Sequence, residues 1–307
     1  MYALMAAALL DTVVMMEAPD LLEVHEWGVV VFQEERVLVT GSPGPDLYLL
    51  DFDDPYIDDM PYSVEAPVVY FYGDGFRGDF IVEVPNGEIT EIYPEDGVGV
   101  GPNSLVWRDI QVTEYDGDLD CPAELPVGFL WEDDVNLWRS AEGNTVRTPG
   151  GGEEGFLYYE CALRDIASFD YPARFLTDGG LPENVQRVLL FSRPDEEFQE
   201  MYSVEPSRIF HPVETEETMV YSRDAVLREL CSWSGSDFYS RELEIMWDTW
   251  EPWIISGEWE GDALVVFPLP REAVSDISSL SVSTDDVDQG NILYSRFFLG
   301  VLPVTWD

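Results

Sequence analysis

The chain of 307 residues is long enough for one large domain or two of ordinary size, and its 46% hydrophobic residues can form a sizeable core. Its formal net charge is -47, and all 15 of its basic residues are arginine. Nucleic acids and anionic membrane surfaces attract basic patches, so this composition argues against both as partners.

The first 19 residues contain an apolar stretch, residues 2–16. It is too short to span a bilayer, and Asp11 interrupts it. Two interpretations stay open. The stretch is either a degenerate secretory signal, which lacks the basic residues that normally precede the apolar run, or an ordinary N-terminal helix.

Residues 20–150 are predicted to form a β-sandwich-like half. Alternating and β-branched residues indicate strands at residues 23–32, 36–40, 66–72, 80–84, 89–93 and 105–115. Between two of these strands, Asn86-Gly87 predicts a β-hairpin, because a type I′ turn needs positive φ at both central positions.

Residues 151–307 are predicted to form an α+β half. Strands are expected at residues 155–163, 185–192, 263–268, 280–282 and 292–302, with another inside 209–222. Apolar residues at helical spacing predict helices over residues 224–232 and 240–250, the second ending at Pro252. The predicted fold class is therefore mainly β. A glycine-rich loop near residues 150–152 marks the boundary, and the alternative is that both halves share one core.

Several segments resemble an uncharacterised family of secreted bacterial proteins, common in planctomycete-like genomes. The segments occur in family order: VHEWGVVVF (24–32), APVVYFY (66–72), VEVPNGEITEIYP (82–94), FLYYE (156–160), IMWDTWEPWIISGEW (245–259), ALVVFPLP (263–270) and FFLGVLP (297–303). Members open with a "HEWG" strand and carry a "TW…SW" helix before an apolar strand that ends in proline. The resemblance implies an exported, β-rich protein and no assigned activity. A secreted or cell-surface location is therefore expected, with the cytoplasm as the alternative because the N-terminal run lacks basic residues.

The two histidines of the chain suggest a candidate metal site. His25 lies in the first predicted strand beside Glu26, and His211 lies far along the chain without the HExxH spacing. Two histidines and a carboxylate are a common ligand set for zinc and non-haem iron, so a metal-dependent hydrolase with ligands His25, Glu26 and His211 is one hypothesis. The alternative is a hydrogen-bonding His25 at a strand edge and a surface His211.

A D-x-D-x-D run, Asp116, Asp118 and Asp120, suggests a Ca2+ site, and Ca2+ is the one cofactor considered. Alternating acids on a loop can converge to supply the oxygen ligands that Ca2+ prefers. The run is not an EF-hand, because its twelfth position is Val127. In a chain with 62 acidic residues, a solvated acidic surface is the alternative.

Tryptophans beside acids suggest sugar binding, since glycan sites combine aromatic faces with carboxylates. The candidate ligand-binding residues are Trp131, Trp247 and Trp250. The alternative is that Trp247, Trp250 and Trp253 pack into the core, because they recur at helical spacing.

Familiar catalytic motifs are missing from the sequence. It contains no GxSxG elbow, P-loop or strand-borne GxGxxG, and Cys121, Cys161 and Cys231 lack zinc-ribbon spacing. We therefore expect a non-catalytic exported or cell-surface protein with a structural or binding role. Self-association, a protein or a glycan are the partners considered.

Overall fold

The computed structural model describes residues 21–32, 62–117, 119–126, 129, 132–163, 175–176, 180–192, 200–206, 219–256, 259 and 261–304. The strands in these ranges are β1 (Leu22–Val31), β2 (Tyr62–Gly73), β3 (Phe76–Glu83), β4 (Gly87–Tyr93), β5 (Val98–Val100), β6 (Ser104–Thr113), β7 (Thr145–Arg147), β8 (Glu153–Glu154), β9 (Leu157–Leu163), β10 (Val188–Ser192), β11 (Glu200–Val204), β12 (Met219–Val220), β13 (Ala263–Pro268), β14 (Ser279–Thr284) and β15 (Ile292–Val304). The α-helices are α1 (Val135–Arg139), α2 (Arg223–Ser234), α3 (Ser240–Ser256) and α4 (Arg271–Ile277). The predicted mainly β fold is confirmed.

Some expectations fall on parts of the chain that the structure does not describe. These are the apolar segment within residues 1–19, the strand predicted at 36–40 and most of the segment 209–222. Within the described ranges, no helix is both long and apolar enough to cross a membrane.

The described strands form two sheets. The larger has nine strands in the order β12-β11-β10-β13-β15-β1-β2-β9-β4, and the smaller has the order β14-β3-β6-β7-β8, with β5 paired to β6. The first and last strands, β1 and β15, pair in parallel, with Leu22 opposite Ile292 and Val31 opposite Val301. Strands from both sides of residue 150 occur in each sheet, so their buried side chains pack together.

Strand β1 lies at the centre of the larger sheet and is covered on both faces. Trp27 faces the helices and packs edge-on against Trp138 of α1, with ring centroids 6.3 Å apart. Val24 points to the other face, beside Phe71 of β2, which contacts Phe80 of the smaller sheet at 5.3 Å. Burial on both faces explains the uninterrupted run without polar side chains at residues 27–31 of β1.

The predicted hairpin at Asn86-Gly87 is wrong. Strand β3 pairs with β6 and β14 in the smaller sheet, whereas β4 pairs with β9 in the larger one. Neither Asn86 nor Gly87 has positive φ, so the turn is not of type I′. A Cβ on Gly87 would lie 2.3 Å from the carbonyl oxygen of Ala162 on β9. Glycine is therefore needed here for close approach between strands, where the chain passes from one sheet to the other.

Helices α2 and α3 confirm the two helices predicted from periodicity, but the predicted end of α3 is wrong. Pro252 lies inside α3, which continues to Ser256. An internal proline removes a backbone hydrogen bond and costs about 3 kcal/mol. Trp253 and Ile254, in the turn that contains Pro252, are buried, and their apolar burial offsets this cost.

Candidate functional site

His25 and Glu26 point to opposite faces of the larger sheet, because side chains alternate along a strand. His25 contacts Glu242 of α3, while Glu26 contacts Arg296 of β15. The structure therefore does not bring these two predicted metal ligands together. The third predicted ligand, His211, lies outside the described residues.

The His25 imidazole lies between two carboxylates. Its Nδ1 is 2.9 Å from Oε2 of Glu242, and its Nε2 is 3.4 Å from Oε2 of Glu23. Glu23 lies two residues before His25 on β1, so both side chains share one face. A carboxylate on Nδ1 fixes the tautomer and the ring orientation of a neutral histidine, and it turns Nε2 toward Glu23 here.

Three aromatic rings enclose His25. Tyr72 and Phe238 lie 5.0 Å from the imidazole centroid, and Tyr239 lies 5.3 Å from it. The Tyr239 hydroxyl donates to Glu23 at 3.3 Å. Burial, followed by the negative charge of Glu242, raises the pKa of Tyr72 far above its usual value. Tyr72 therefore stays protonated at physiological pH.

The start of helix α3 positions Glu242. Its carboxylate accepts a 3.0 Å hydrogen bond from the backbone N–H of Tyr239, and its own N–H donates to the Tyr239 carbonyl. A glutamate that reaches back to the residue before a helix is one half of a capping box. The positive end of the helix also stabilises its charge. These contacts explain how a fully buried carboxylate is held beside His25.

On the opposite face, Glu26 is the centre of a second buried network. It accepts hydrogen bonds from Tyr159 at 2.6 Å and from Nε of Arg296 at 2.5 Å. Arg296 also donates to the carbonyl oxygen and the hydroxyl of Ser278, both at 2.6 Å. Burial lowers the pKa of Arg296, but the charge of Glu26 opposes this effect and the net change is a rise. Arg296 therefore stays charged, and the carboxyl group of Glu26 is its buried partner.

A cavity of about 310 Å³ lies at the edge of strand β15, next to these two clusters. Strand β13 pairs with β15 only from Leu299 to Val304 and ends at Pro268, after which the N–H of Leu269 donates to the carbonyl of Phe298. Backbone groups alternate between the two edges of a strand, so those of Arg296 lie on the same edge as the Phe298 carbonyl. This edge adjoins the cavity.

Aromatic side chains and polar groups both line the cavity. Trp233, Phe238 and Phe297 line it, each less than 10% exposed. Arg271, at the start of α4, and Asp237, in the turn between α2 and α3, form an exposed ion pair of 3.0 Å at the rim. We call this space, with its rim, the edge cavity.

The turn between α2 and α3 connects the edge cavity to His25. Gly235 ends α2 with φ of 67°, a conformation that L side chains rarely adopt. Phe238, three residues later, packs against both His25 and Phe297, with centroid distances of 5.0 and 5.8 Å. A ligand in the cavity would therefore lie against a ring that also covers the histidine.

Two of the three predicted Ca2+ residues lie in the described part of the chain. Asp116 and Asp120 are exposed, and Asp118 lies outside the described residues. The backbone N–H of Asp120 donates to Glu153 at 2.8 Å. Among the described residues, no group of three or more histidine, cysteine, aspartate or glutamate side chains is placed to hold a metal ion.

The predicted sugar-binding tryptophans do not form an exposed platform. Trp247 is fully buried, stacks on Phe191 at 5.9 Å and donates from its indole nitrogen to Tyr221. Trp250 is 2% exposed, and Trp131 lies outside the described residues. Neither Trp247 nor Trp250 has a free face for a sugar ring.

Sequence reasoning missed the groups that complete both clusters. Glu242 is 217 residues from His25, and Arg296 is 270 residues from Glu26. In the sequence, Glu242 and Glu244 follow Ser240 at the start of this helix, and acids in the first turn of a helix are a signal for capping. Nothing in the sequence signals its contact with His25, because that contact depends on how α3 packs on the sheet.

Comparison with known proteins finds no relative of this chain. No protein-family model, no curated protein and no solved structure matches the chain.

Proposed function

We propose that this chain is a non-catalytic, β-rich binding protein, exported or displayed at the cell surface, which takes a small ligand into the edge cavity. The observation that carries the proposal is the cavity itself: about 310 Å³, with three buried aromatic rings and a polar rim. Ligand sites are typically concave and mostly apolar, with a few polar groups that orient the ligand, and their volumes begin at roughly 300 Å³.

The chemistry around the cavity favours binding over catalysis. Arg296 is neutralised by Glu26, and Arg271 is paired with Asp237. The histidine nearby has Phe238 between it and the cavity wall. These groups are arranged to hold a ligand in place. The expected export rests on the sequence resemblance.

Binding can be tested with matched variants. Arg271→Ala removes the arginine of the exposed pair at the cavity rim, and Arg77→Ala removes the arginine of another exposed pair, with Asp109 on β6. A thermal-shift screen of small molecules should find compounds that raise the Tm of the wild type and of Arg77→Ala. The shift should be smaller in Arg271→Ala and absent in Ser236→Trp, which adds an indole to the cavity wall. A library without any hit, or hits that stabilise Ser236→Trp equally, would overturn the proposal.

Metal-dependent hydrolysis at His25 is a second candidate, supported by one observation. Nε2 of His25 and Oε2 of Glu23 are 3.4 Å apart, a spacing at which both atoms can bind one ion, and Glu242 orients the ring from Nδ1. Metal analysis of protein purified with Zn2+ present tests this. Stoichiometric metal that is lost in Glu23→Gln supports it, and metal-free wild-type protein contradicts it.

A further inference from the structure

We infer that the ligand of the edge cavity is a neutral, hydroxyl-rich molecule the size of one sugar ring. This inference rests on the proposed binding function and adds the chemical class of the ligand. Size gives the first limit, because about 310 Å³ is at the lower end of ligand-binding cavities and admits a single ring.

The charges in the cavity limit the chemical class of the ligand further. Among the described residues that line the cavity, the charged ones are all paired, Arg296 with Glu26 and Arg271 with Asp237. An ionic ligand would therefore meet no unpaired opposite charge in this lining, and burying its own charge would be costly. Beyond the cavity, the net charge of -47 on the whole chain repels anions.

The polar groups of the cavity suit hydroxyls. Arg271 is 87% exposed and Asp237 is 47% exposed, so each keeps hydrogen-bonding sites open to a ligand while the two stay paired. Together they offer a donor and an acceptor side by side, which two neighbouring hydroxyls can satisfy at once.

The apolar groups of the cavity suit the faces of a pyranose ring. Trp233, Phe238 and Phe297 come from α2, the turn after it and β15. The C–H faces of a sugar are apolar, while its hydroxyls point outward around the ring. Aromatic walls below a polar rim therefore match such a molecule better than a fully apolar ligand, which would leave the rim groups without partners.

The test uses probes that share one ring and differ in charge. Methyl glycosides of glucose, galactose and mannose and free N-acetylglucosamine are neutral, glucuronate carries a carboxylate, and glucosamine carries an ammonium group. Titration of the full chain in 0.5 M NaCl, followed by NMR chemical shifts, should detect binding of at least one neutral probe. The matching charged ring should bind about tenfold more weakly, or about 1.4 kcal/mol, because its charge stays unpaired. Asp237→Asn should weaken neutral binding, and Asp109→Asn, in the other exposed pair, should not.

Benzoate and toluene, added as further probes, distinguish failure of the sugar inference from failure of the proposed binding function. If benzoate or toluene binds, with loss in Ser236→Trp, while no neutral sugar does, the sugar inference is wrong and the binding function stands. Tighter binding of glucuronate or glucosamine than of their neutral counterparts also overturns the inference. If no probe of any class binds, the inference fails, and the wider screen decides the binding function.

Discussion

At the scale of single residues, three arginines and one histidine lie beside buried carboxylates. Glu26, Glu153 and Glu154 are buried, and each is paired with an arginine. Glu242 is paired with His25 instead. Removing one partner of a buried pair leaves an uncompensated charge in a medium that solvates it poorly. The stability of the fold therefore depends more on these few pairs than on the many acids at the surface.

The first prediction concerns the Glu26–Arg296 pair. Arg296→Met should lower the free energy of unfolding by about 3–5 kcal/mol, because it leaves Glu26 charged and buried without its cation. Adding Glu26→Gln should recover part of this loss, since the remaining amide is neutral. Chemical denaturation at pH 7 measures both, with Arg77→Ala as an exposed control expected to change stability by at most about 1 kcal/mol. A double variant no more stable than Arg296→Met alone would contradict the idea.

The second prediction concerns Asp134, at the start of α1. Burial, and then the charge of Asp133, raises the pKa of Asp134 from 3.8 to about 6. The folded state therefore favours the protonated form. The stability that the protonated Asp134 contributes to the folded state is fully present below pH 3.8 and is lost as the pH rises through about 6. Asp134 is partly exposed, so solvent screening reduces the effect to roughly 1 kcal/mol.

Asp134→Asn should therefore become more stable relative to the wild type between pH 4 and pH 7, as followed by urea unfolding across this range. Asp133→Asn is the matched control. Asp133→Asn removes only the neighbouring charge, which is the smaller cause of the raised pKa of Asp134. It should therefore change the pH dependence of stability less than Asp134→Asn does. A stability difference that does not vary with pH would show that the carboxyl of Asp134 has an ordinary pKa.

At the scale of elements, pairing between distant strands overrides local turn preference. Asn-Gly between two strands favours a hairpin in isolation. Here both edges of β3 are occupied by β6 and β14, and β4 pairs with β9. The extensive burial of β9 explains why β4 pairs with it instead. A turn preference of about 1 kcal/mol cannot compete with burial of several large side chains.

The third prediction follows from this arrangement. Gly87→Ala should destabilise the protein by about 1–3 kcal/mol, because the added methyl would meet the carbonyl of Ala162 at 2.3 Å and force the strands apart. Gly290→Ala is the matched control, since nothing lies within 4 Å of a Cβ there and its φ is not positive. Equal stability of the two variants in thermal unfolding would argue against the close approach of β4 and β9.

At the scale of the whole molecule, the charge of -47 acts against the compact state through repulsion among surface carboxylates. Salt weakens this repulsion, because the Debye length falls from about 10 Å at 0.1 M to about 3 Å at 1 M. Exposed arginine pairs such as Arg77–Asp109 are too few to cancel it. The protein should therefore be most stable in concentrated salt.

The fourth prediction is a rise in Tm of at least about 5 °C between 0.1 M and 1 M NaCl at pH 7, which corresponds to roughly 2 kcal/mol. At pH 4 many carboxylates are protonated, so the rise should be much smaller. Scanning calorimetry at both pH values measures the difference. An equal rise at both would indicate a general effect of salt on hydration rather than screening of charge.

The sequence by itself determined the fold class, the position of most long strands and helices α2 and α3. Each of these rests on periodicity within one segment, and burial of one or both faces imposes that periodicity wherever the segment packs. Helices α1 and α4 were missed, because with 5 and 7 residues they are too short to show a period.

Only the tertiary structure decided which chemical groups meet. The sequence predicts that the adjacent residues His25 and Glu26 share one metal site, but alternation along β1 places their side chains on opposite faces. Their partners come from α3 and β15, respectively. Strand β13 pairs with β15 only from Leu299 to Val304 and does not extend along the earlier part of β15. The edge cavity lies beside that part of β15, and the turn after Gly235 places Phe238 in its wall. Contacts of this kind join residues more than 200 positions apart. They depend on strand order and helix packing, which are settled by the burial of the whole chain and leave no local pattern in the sequence.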